Sequence, residues 1–280
     1  MMTRTQLLIG LTFLVACSPQ RTVVETPAPP GPVVTTPAPV GSDEAALSQM
    51  GVDAVLWQST SAEVDWIYRQ GYAFAKQKLD ANMSGSDARP TAVIVDIDET
   101  VLDNSPYQVN AIQRERTFDQ GDWKVWTDKA SAKACPGALE FLEYAKSKGC
   151  TVFYITNRDV RERASTLKNL TDLGFPFADE AHVLLMDGAS DKTERRAMVG
   201  ATHRIVLLVG DQLRDFDERF KDRSADYGRG VAATMADSLS KYFVLLPNPM
   251  YGTYRDIIQG KGPDAEKRQR TKAWFKSNTY

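Results

Sequence analysis

Two carboxylates, Asp96 and Asp98, stand two residues apart at the end of an apolar run, in the segment Ala92-Val-Ile-Val-Asp-Ile-Asp-Glu-Thr100. In an extended chain, residues i and i+2 point to the same side. Like charges held that close repel unless a cation or a proton compensates them. The pair therefore predicts a carboxylate-rich, metal-dependent site. Three more polar groups follow in order: Thr156-Asn157-Arg158-Asp159, Asp191-Lys192-Thr193 and Gly210-Asp-Gln-Leu-Arg-Asp215. One such group means little, because an acid at a strand end often caps the next helix. Four in succession on one sheet edge are specific.

The elements that must carry these groups follow from the hydrophobic pattern. Apolar runs predict strands at 92–97, 151–156, 182–186, 205–210 and 242–246. Amphipathic segments predict helices near 137–148, 160–173, 192–200 and 213–220. This alternation implies an α/β fold, a Rossmann-like parallel sheet with helices on both faces and right-handed crossovers. Ligands of such sheets bind outside the carboxyl ends of the strands, where the four groups fall. The segment 103–135, which interrupts the alternation, should overhang that edge. That insert is rich in Trp, Tyr, Asp and Gln and follows the first strand directly.

A helical pattern over 43–83 suits a pair of helices or one long helix packed on the core. Its aromatic residues Trp57, Trp66, Tyr68, Tyr72 and Phe74 read as packing. We expect a core at 90–255 and a small mainly helical domain. The latter combines the N-terminal segment 42–89, part of the insert and a helical tail at 256–280.

The chain of 280 residues, 42% hydrophobic, can bury one substantial core. With 34 basic against 36 acidic residues, nothing points to a nucleic-acid polymer as partner. Arg4 and the short apolar stretch Leu7 to Ala16 are too brief for a normal membrane span. The stretch ends in Leu14-Val-Ala-Cys17, which resembles a bacterial lipobox. The expectation is a lipoprotein signal peptide at 1–16 and a lipidated Cys17 anchored by several acyl chains. The alternative is an ordinary signal peptide with a chance cysteine. Ser18 in place of aspartate favours the outer membrane. Residues 17–41 carry Pro27, Pro29, Pro30, Pro32, Pro37 and Pro39 and read as an extended tether. The predicted helix between Cys135 and Cys150 is about 18 Å long, whereas bridged Cα atoms lie within about 7 Å. These two cysteines should not pair with each other.

The motifs Asp96-Ile-Asp-Glu-Thr-Val-Leu-Asp-Asn-Ser-Pro-Tyr107, Thr156-Asn-Arg-Asp159, Gly210-Asp-Gln-Leu-Arg-Asp-Phe216 and Leu246-Pro-Asn-Pro-Met-Tyr-Gly252 resemble the haloacid dehalogenase superfamily. Within it they resemble the bacterial class C nonspecific acid phosphatases of the lipoprotein-e family, many of them outer-membrane 5′-nucleotidases. The resemblance covers roughly residues 90 to 255. It implies hydrolysis of phosphomonoesters, 5′-nucleotides and nicotinamide mononucleotide among them, through an aspartyl-phosphate. Asp96 would be the nucleophile and Asp98 the general acid and base. A Mg²⁺ ion would be held by the Asp96 carboxylate, the Asp98 carbonyl and Asp211. Thr156, the Asn157 amide and Lys192 would bind the phosphoryl group. Asp215 would orient a metal-bound water or Lys192. Phe118, Trp123 and Tyr251 match positions where aromatic residues surround a base. Asp103 and Asn104 would contact the substrate sugar or shape the pocket. Arg214 departs from the pattern, since relatives often carry an acid there.

Bland alternatives stand beside these roles. Lys192 would be a solvated lysine of a charged loop, and Asp215 a structural partner of Arg214 or Arg219. Trp123 and Trp126 would pack the insert onto the core. His182 and His203 lack metal-ligand spacing and read as core or surface residues. Two rival functions remain at this level: a non-catalytic surface lipoprotein binding haem or a host ligand, and a phosphotransferase to alcohol acceptors. A homo-oligomer is compatible with the sequence.

Overall fold

The computed structural model describes residues 42–280; the signal peptide, Cys17 and the tether expected from the sequence lie outside the described residues. Three helices come first: α1 (Asp43–Gln49), α2 (Val52–Thr60) and α3 (Ala62–Met83). The expected pair or single long helix is thus divided at Gly51 and Ser61. The Ser61 side chain accepts a hydrogen bond from the Val64 amide at 3.1 Å and caps α3. Then follow β1 (Thr91–Val95), β2 (Leu102–Asp103), α4 (Ser105–Gln113), α5 (Gln120–Thr127), β3 (Lys133–Ala134), α6 (Ala138–Ser147) and β4 (Thr151–Asp159). The chain continues with α7 (Arg163–Asp172), β5 (Val183–Met186), α8 (Thr193–Thr202), β6 (Arg204–Gly210) and α9 (Leu213–Phe216). It closes with α10 (Arg229–Thr234), α11 (Ala236–Tyr242), β7 (Phe243–Leu245), α12 (Thr253–Gln259) and α13 (Asp264–Ser277).

Five strands form one parallel sheet in the order β5-β4-β1-β6-β7. β1 lies at its centre, so the carboxylates that follow it emerge from the middle of the sheet's carboxyl edge. Alternation along each strand splits the core between the two faces. Val93, Val95, Val152, Tyr154, Leu207 and Val209 pack with Tyr72, Leu79, Phe141 and Leu142 of α3 and α6. Ala92, Ile94, Phe153, Ile155 and Leu208 face Val199 of α8, with Leu213 and Phe216 beside them. Full burial of a Val, Leu, Ile or Phe side chain in these layers contributes about 1.5–3 kcal/mol by leaving water.

Helix α3 does more than cover the sheet. Val64, Tyr68, Tyr72, Ala75 and Leu79 form one buried stripe at helical spacing. The Tyr68 and Tyr72 hydroxyls donate to the carbonyls of Glu99 and Thr100, each at 2.6 Å. They clamp the turn that leaves β1. In that turn the amides of Val101 and Leu102 both reach the Ile97 carbonyl at 2.9 Å, and Glu99 takes a φ of 53°.

Several boundaries differ from those expected. β4 runs on to Asp159, so Asn157 and Arg158 lie within a strand rather than beyond it. The helix expected at 213–220 breaks at Asp217, whose extended backbone ends α9 and whose side chain caps a short 3₁₀ turn at Glu218–Lys221. The insert contains α4, α5 and the small antiparallel pair β2–β3. Cys135 and Cys150 are both buried, unpaired thiols.

Candidate active site

Asp96 continues β1 past its last ladder residue, its amide still bonded to the Val209 carbonyl at 3.0 Å. Its Oδ1 accepts from Lys192 Nζ, which also donates to Asp215 Oδ1 at 2.7 Å. Lys192 stands just before α8 and is only 4% exposed. The alternative of a solvated surface lysine is excluded. Asp215 is likewise a partner of Lys192 rather than of Arg214 or Arg219, which pair with Glu218 and Asp217.

Asp211 and Asp215 are placed by the turn after β6. Gln212 and Asp215 form a reciprocal capping box at the start of α9, with the Gln212 amide on Asp215 Oδ2 at 2.9 Å. Asp211 Oδ2 accepts from Gln212 Nε2 at 2.9 Å and from Asn248 Nδ2 at 2.7 Å. Oxygen atoms of Asp96, Asp211 and Asp215 all lie within 4.8 Å of one another, and all three residues are buried. Burial pushes the Asp211 carboxyl up to about 7, helped by neighbouring Asp215 and opposed by its amide donors and Lys192. Burial also raises Asp96, against the pull of Lys192 and with the repulsion of Asp215, Asp211 and Asp98. Three buried carboxylates facing one point, with one lysine among them, leave negative charge for a cation to neutralise. Their hard oxygen donors fit a divalent ion such as Mg²⁺.

Asp98 is held differently. Its Oδ1 accepts from Asn104 Nδ2 and from Arg158 Nε, each at 2.9 Å, and forms an ion pair with Arg158 Nη2 at 2.8 Å. Among the described residues, its Oδ2 has only the Thr156 hydroxyl, at 3.5 Å. Asn104 is fully buried and also accepts from Trp126 Nε1 at 2.8 Å. Trp126 therefore packs the insert on the core and bonds to the residue that holds Asp98.

A cavity of about 550 Å³ opens over these residues. Asp96, Asp98, Asn157, Lys192, Asp211 and Asp215 form its floor. Phe118, Trp123 and Tyr251 line its walls. Phe118 is largely exposed, whereas Trp123 is 8% exposed, edge-on to Tyr107 and bonded through Nε1 to Glu162 at 3.2 Å. Trp123 thus packs the insert and lines the cavity at once. Two expected contacts fall elsewhere. Asp103 does not line the cavity; its Oδ1 accepts the Ser105 amide at 2.8 Å and starts α4. An Asp whose side chain accepts the amide two residues on at a helix start forms an ordinary local turn. The Thr156 side chain is buried beneath the floor, accepting the Arg158 amide at 3.0 Å.

Four contributors had no assigned role in the sequence reading. Arg158 belongs to the motif Thr156-Asn-Arg-Asp159, but its side chain reaches Asp98 only because β4 continues past Thr156. Arg195 of α8 donates to the Thr156 carbonyl and, at 2.9 Å, to Asn157 Oδ1. Asn248 orients Asp211. Glu99 is fully buried and receives the Asn104 amide at 2.8 Å. The i, i+2 spacing of Thr156 and Arg158 was a usable signal; the others depend on tertiary contact.

The model of the acid phosphatases of the HAD superfamily, subfamily IIIB, matches residues 32–254. The class C acid phosphatase from Bacillus anthracis is 36% identical, with a TM-score of 0.77 over 84% of this chain and 98% of that one. Its structure with tungstate bound is 35% identical, with a TM-score of 0.76 over the same shares. Acid phosphatase 1 of Solanum lycopersicum is 30% identical over 198 residues, 68% of each chain. The central parallel sheet, the carboxylates at its carboxyl edge and these matches agree: the chain belongs to the acid phosphatases of HAD subfamily IIIB and is a phosphomonoesterase.

Proposed function

We propose that the chain hydrolyses 5′-nucleotides, nicotinamide mononucleotide among them, through an aspartyl-phosphate on Asp96, with Mg²⁺ as the cofactor. The observation that carries this reading is the convergence of Asp96, Lys192, Asp211 and Asp215 at the floor of a cavity walled by aromatic residues. An Asp96 oxygen attacks phosphorus and the ester oxygen departs with the bonding electron pair. Asp98 supplies that oxygen with a proton, then removes one from the water that cleaves the aspartyl-phosphate. Lys192 balances charge on Asp96 and on the transferring group, and Arg195 keeps the Asn157 amide at the cavity edge. Asp96, the Asp98 carbonyl and Asp211 would hold Mg²⁺, with Asp215 as a further carboxylate. Bound there, the ion would neutralise charge between the nucleophile and the phosphate dianion. The Bacillus relative has been solved with tungstate bound, which supports a tetrahedral oxyanion as the ligand class.

Phe118, Trp123 and Tyr251 offer flat surfaces that stack on any base with little preference among bases. The expected Cys17 lipid and proline-rich tether support action outside the cytoplasm, at the outer membrane, on phosphoesters that cannot cross a membrane intact. A panel of nucleoside monophosphates, nicotinamide mononucleotide and aryl phosphates, assayed with and without chelator, tests the reading. Turnover that survives chelation, or that persists in Asp96→Asn, would refute the mechanism. Equal kcat/KM for nucleotides and small alkyl phosphates would refute the substrate class.

A further inference from the structure

The two oxygens of Asp98 are not equivalent. Oδ1 accepts the N–H groups of Arg158 Nε and Asn104 Nδ2, each at 2.9 Å, and lies 2.8 Å from Arg158 Nη2 in an ion pair. With its lone pairs engaged by donors, Oδ1 has no capacity to carry a proton toward a ligand. Oδ2 has one long contact, to Thr156 at 3.5 Å, and belongs to a residue that lines the cavity. The donors are themselves immobilised. Arg158 is buried, bonds Thr166 Oγ1 and Asn104 Oδ1 at 3.3 Å each, and sits 5.8 Å from the centre of the Trp123 ring. Asn104 is fixed by Trp126 and by its own amide on Glu99. A buried guanidinium with every neighbour engaged is costly to place, so its position is strongly determined.

We propose that Arg158 and Asn104 are positioning residues for the leaving-group step: they saturate Asp98 Oδ1, so that Oδ2 alone faces the departing oxygen. Trp126 of the insert completes this arrangement through Asn104. The proposal rests on the reading of Asp98 as the acid. In the step, the bond from Asp96 to phosphorus forms as the ester P–O bond breaks. The bonding pair passes to the ester oxygen, that oxygen takes the proton from Asp98 Oδ2, and Asp98 is left a carboxylate held by Arg158.

Leaving-group dependence separates this role from a merely structural one. A p-nitrophenolate departs without a proton, whereas an alkoxide needs one. We would measure kcat/KM, which reports the first phosphoryl transfer, for p-nitrophenyl phosphate and an alkyl phosphate in Asp98→Asn, Arg158→Gln, Arg158→Lys and Trp126→Phe. Misplacing an acid forfeits part of the roughly 10²–10⁴-fold that such catalysis supplies. Arg158→Gln should lose about tenfold or more on the alkyl ester and less than about threefold on the aryl ester, on that scale. Arg158→Lys should recover part of the difference, and Trp126→Phe, which keeps the ring but loses its N–H, should show a smaller selective loss. If Asp98→Asn discriminates between the esters but Arg158→Gln and Trp126→Phe lower both equally, the positioning role is overturned. If Asp98→Asn itself does not discriminate, the reading of Asp98 as the acid fails, and the proposal with it.

Discussion

Asn248 donates its side-chain N–H to the Asp211 carboxylate at 2.7 Å. The same side chain accepts the amides of Met250 and Tyr251 through Oδ1, at 3.0 and 3.4 Å. One residue thus ties a candidate metal ligand to the loop that presents Tyr251 to the cavity. Removing it should disturb both. Partners that orient a ligating group typically matter about 10–100-fold in metal affinity or activity. Asn248→Ala should weaken Mg²⁺ activation within that range and raise KM for nucleotides, read from metal titrations of kcat/KM. Unchanged metal dependence would remove Asn248 from the site.

Gly210 ends β6 where a side chain has no room. A Cβ there would stand 2.7 Å from the Asp215 Cβ and closer still to its carboxylate. The strand must end in a glycine for Asp215 to fold back over it and meet Lys192. Gly210→Ala should cost about 1–3 kcal/mol, the usual range for overpacking. It should also lower kcat by displacing Asp215. Thermal unfolding and kinetics on the same sample check both. An unaltered Tm with full activity would mean that Asp215 is not held against Gly210.

The parallel sheet and the positions of its strands along the chain were legible because short apolar runs alternate with amphipathic segments; their order within the sheet was not. Asp96 and Asp211 could be placed because each directly follows such a run. What escaped was set by contacts between segments distant in sequence. Lys192 sits among Asp191, Thr193 and Glu194, and nothing local says that it turns inward to Asp96. Arg158 reads as one member of a polar motif until Asn104, more than fifty residues earlier, is brought against it. The Tyr68 and Tyr72 hydroxyls look like interior aromatic tips, yet they hold the turn that follows Asp96. Asp103, expected to contact the substrate sugar or shape the pocket, holds the amide two residues on instead, a local contact that its type and position also allow.

Protonation of the carboxylate cluster couples stability to pH and metal. Asp211 titrates near 7 in the fold, above the usual carboxylate range near 4, because of burial and Asp215. A carboxyl with a raised pKa binds more protons in the native than in the unfolded state between those two values. Its contribution therefore favours folding below the unfolded pKa and is lost as pH rises through about 7. The metal-free protein should lose stability across that window. Added Mg²⁺ should raise Tm more at pH 7.5 than at pH 5.5, since metal must displace protons at the lower pH. Thermal melts in chelator and in Mg²⁺ at both pH values test this. A stabilisation independent of pH would show that protonation of these carboxylates is not linked to metal binding.

Lys192 gives the sharpest separation between a structural and a catalytic contribution. It is buried between Asp96 and Asp215 and raised above the ordinary lysine value: burial works against the charge, but the two carboxylates more than offset it. Deleting one partner of a buried ion pair leaves the other charges uncompensated and typically costs about 3–5 kcal/mol. Lys192→Met keeps the volume and removes the charge, so the metal-free variant should be destabilised by that order. Metal should restore much of the stability by supplying positive charge at the same place. Activity should not follow, because the lysine also compensates the transferring phosphoryl group. With stability restored by metal, kcat/KM should remain at least ~10²-fold below wild type, as for loss of one fixed electrostatic donor. Inhibition by inorganic phosphate should weaken in parallel. A Lys192→Met protein that regains both stability and phosphate affinity on metal addition would make the lysine a structural counter-ion alone.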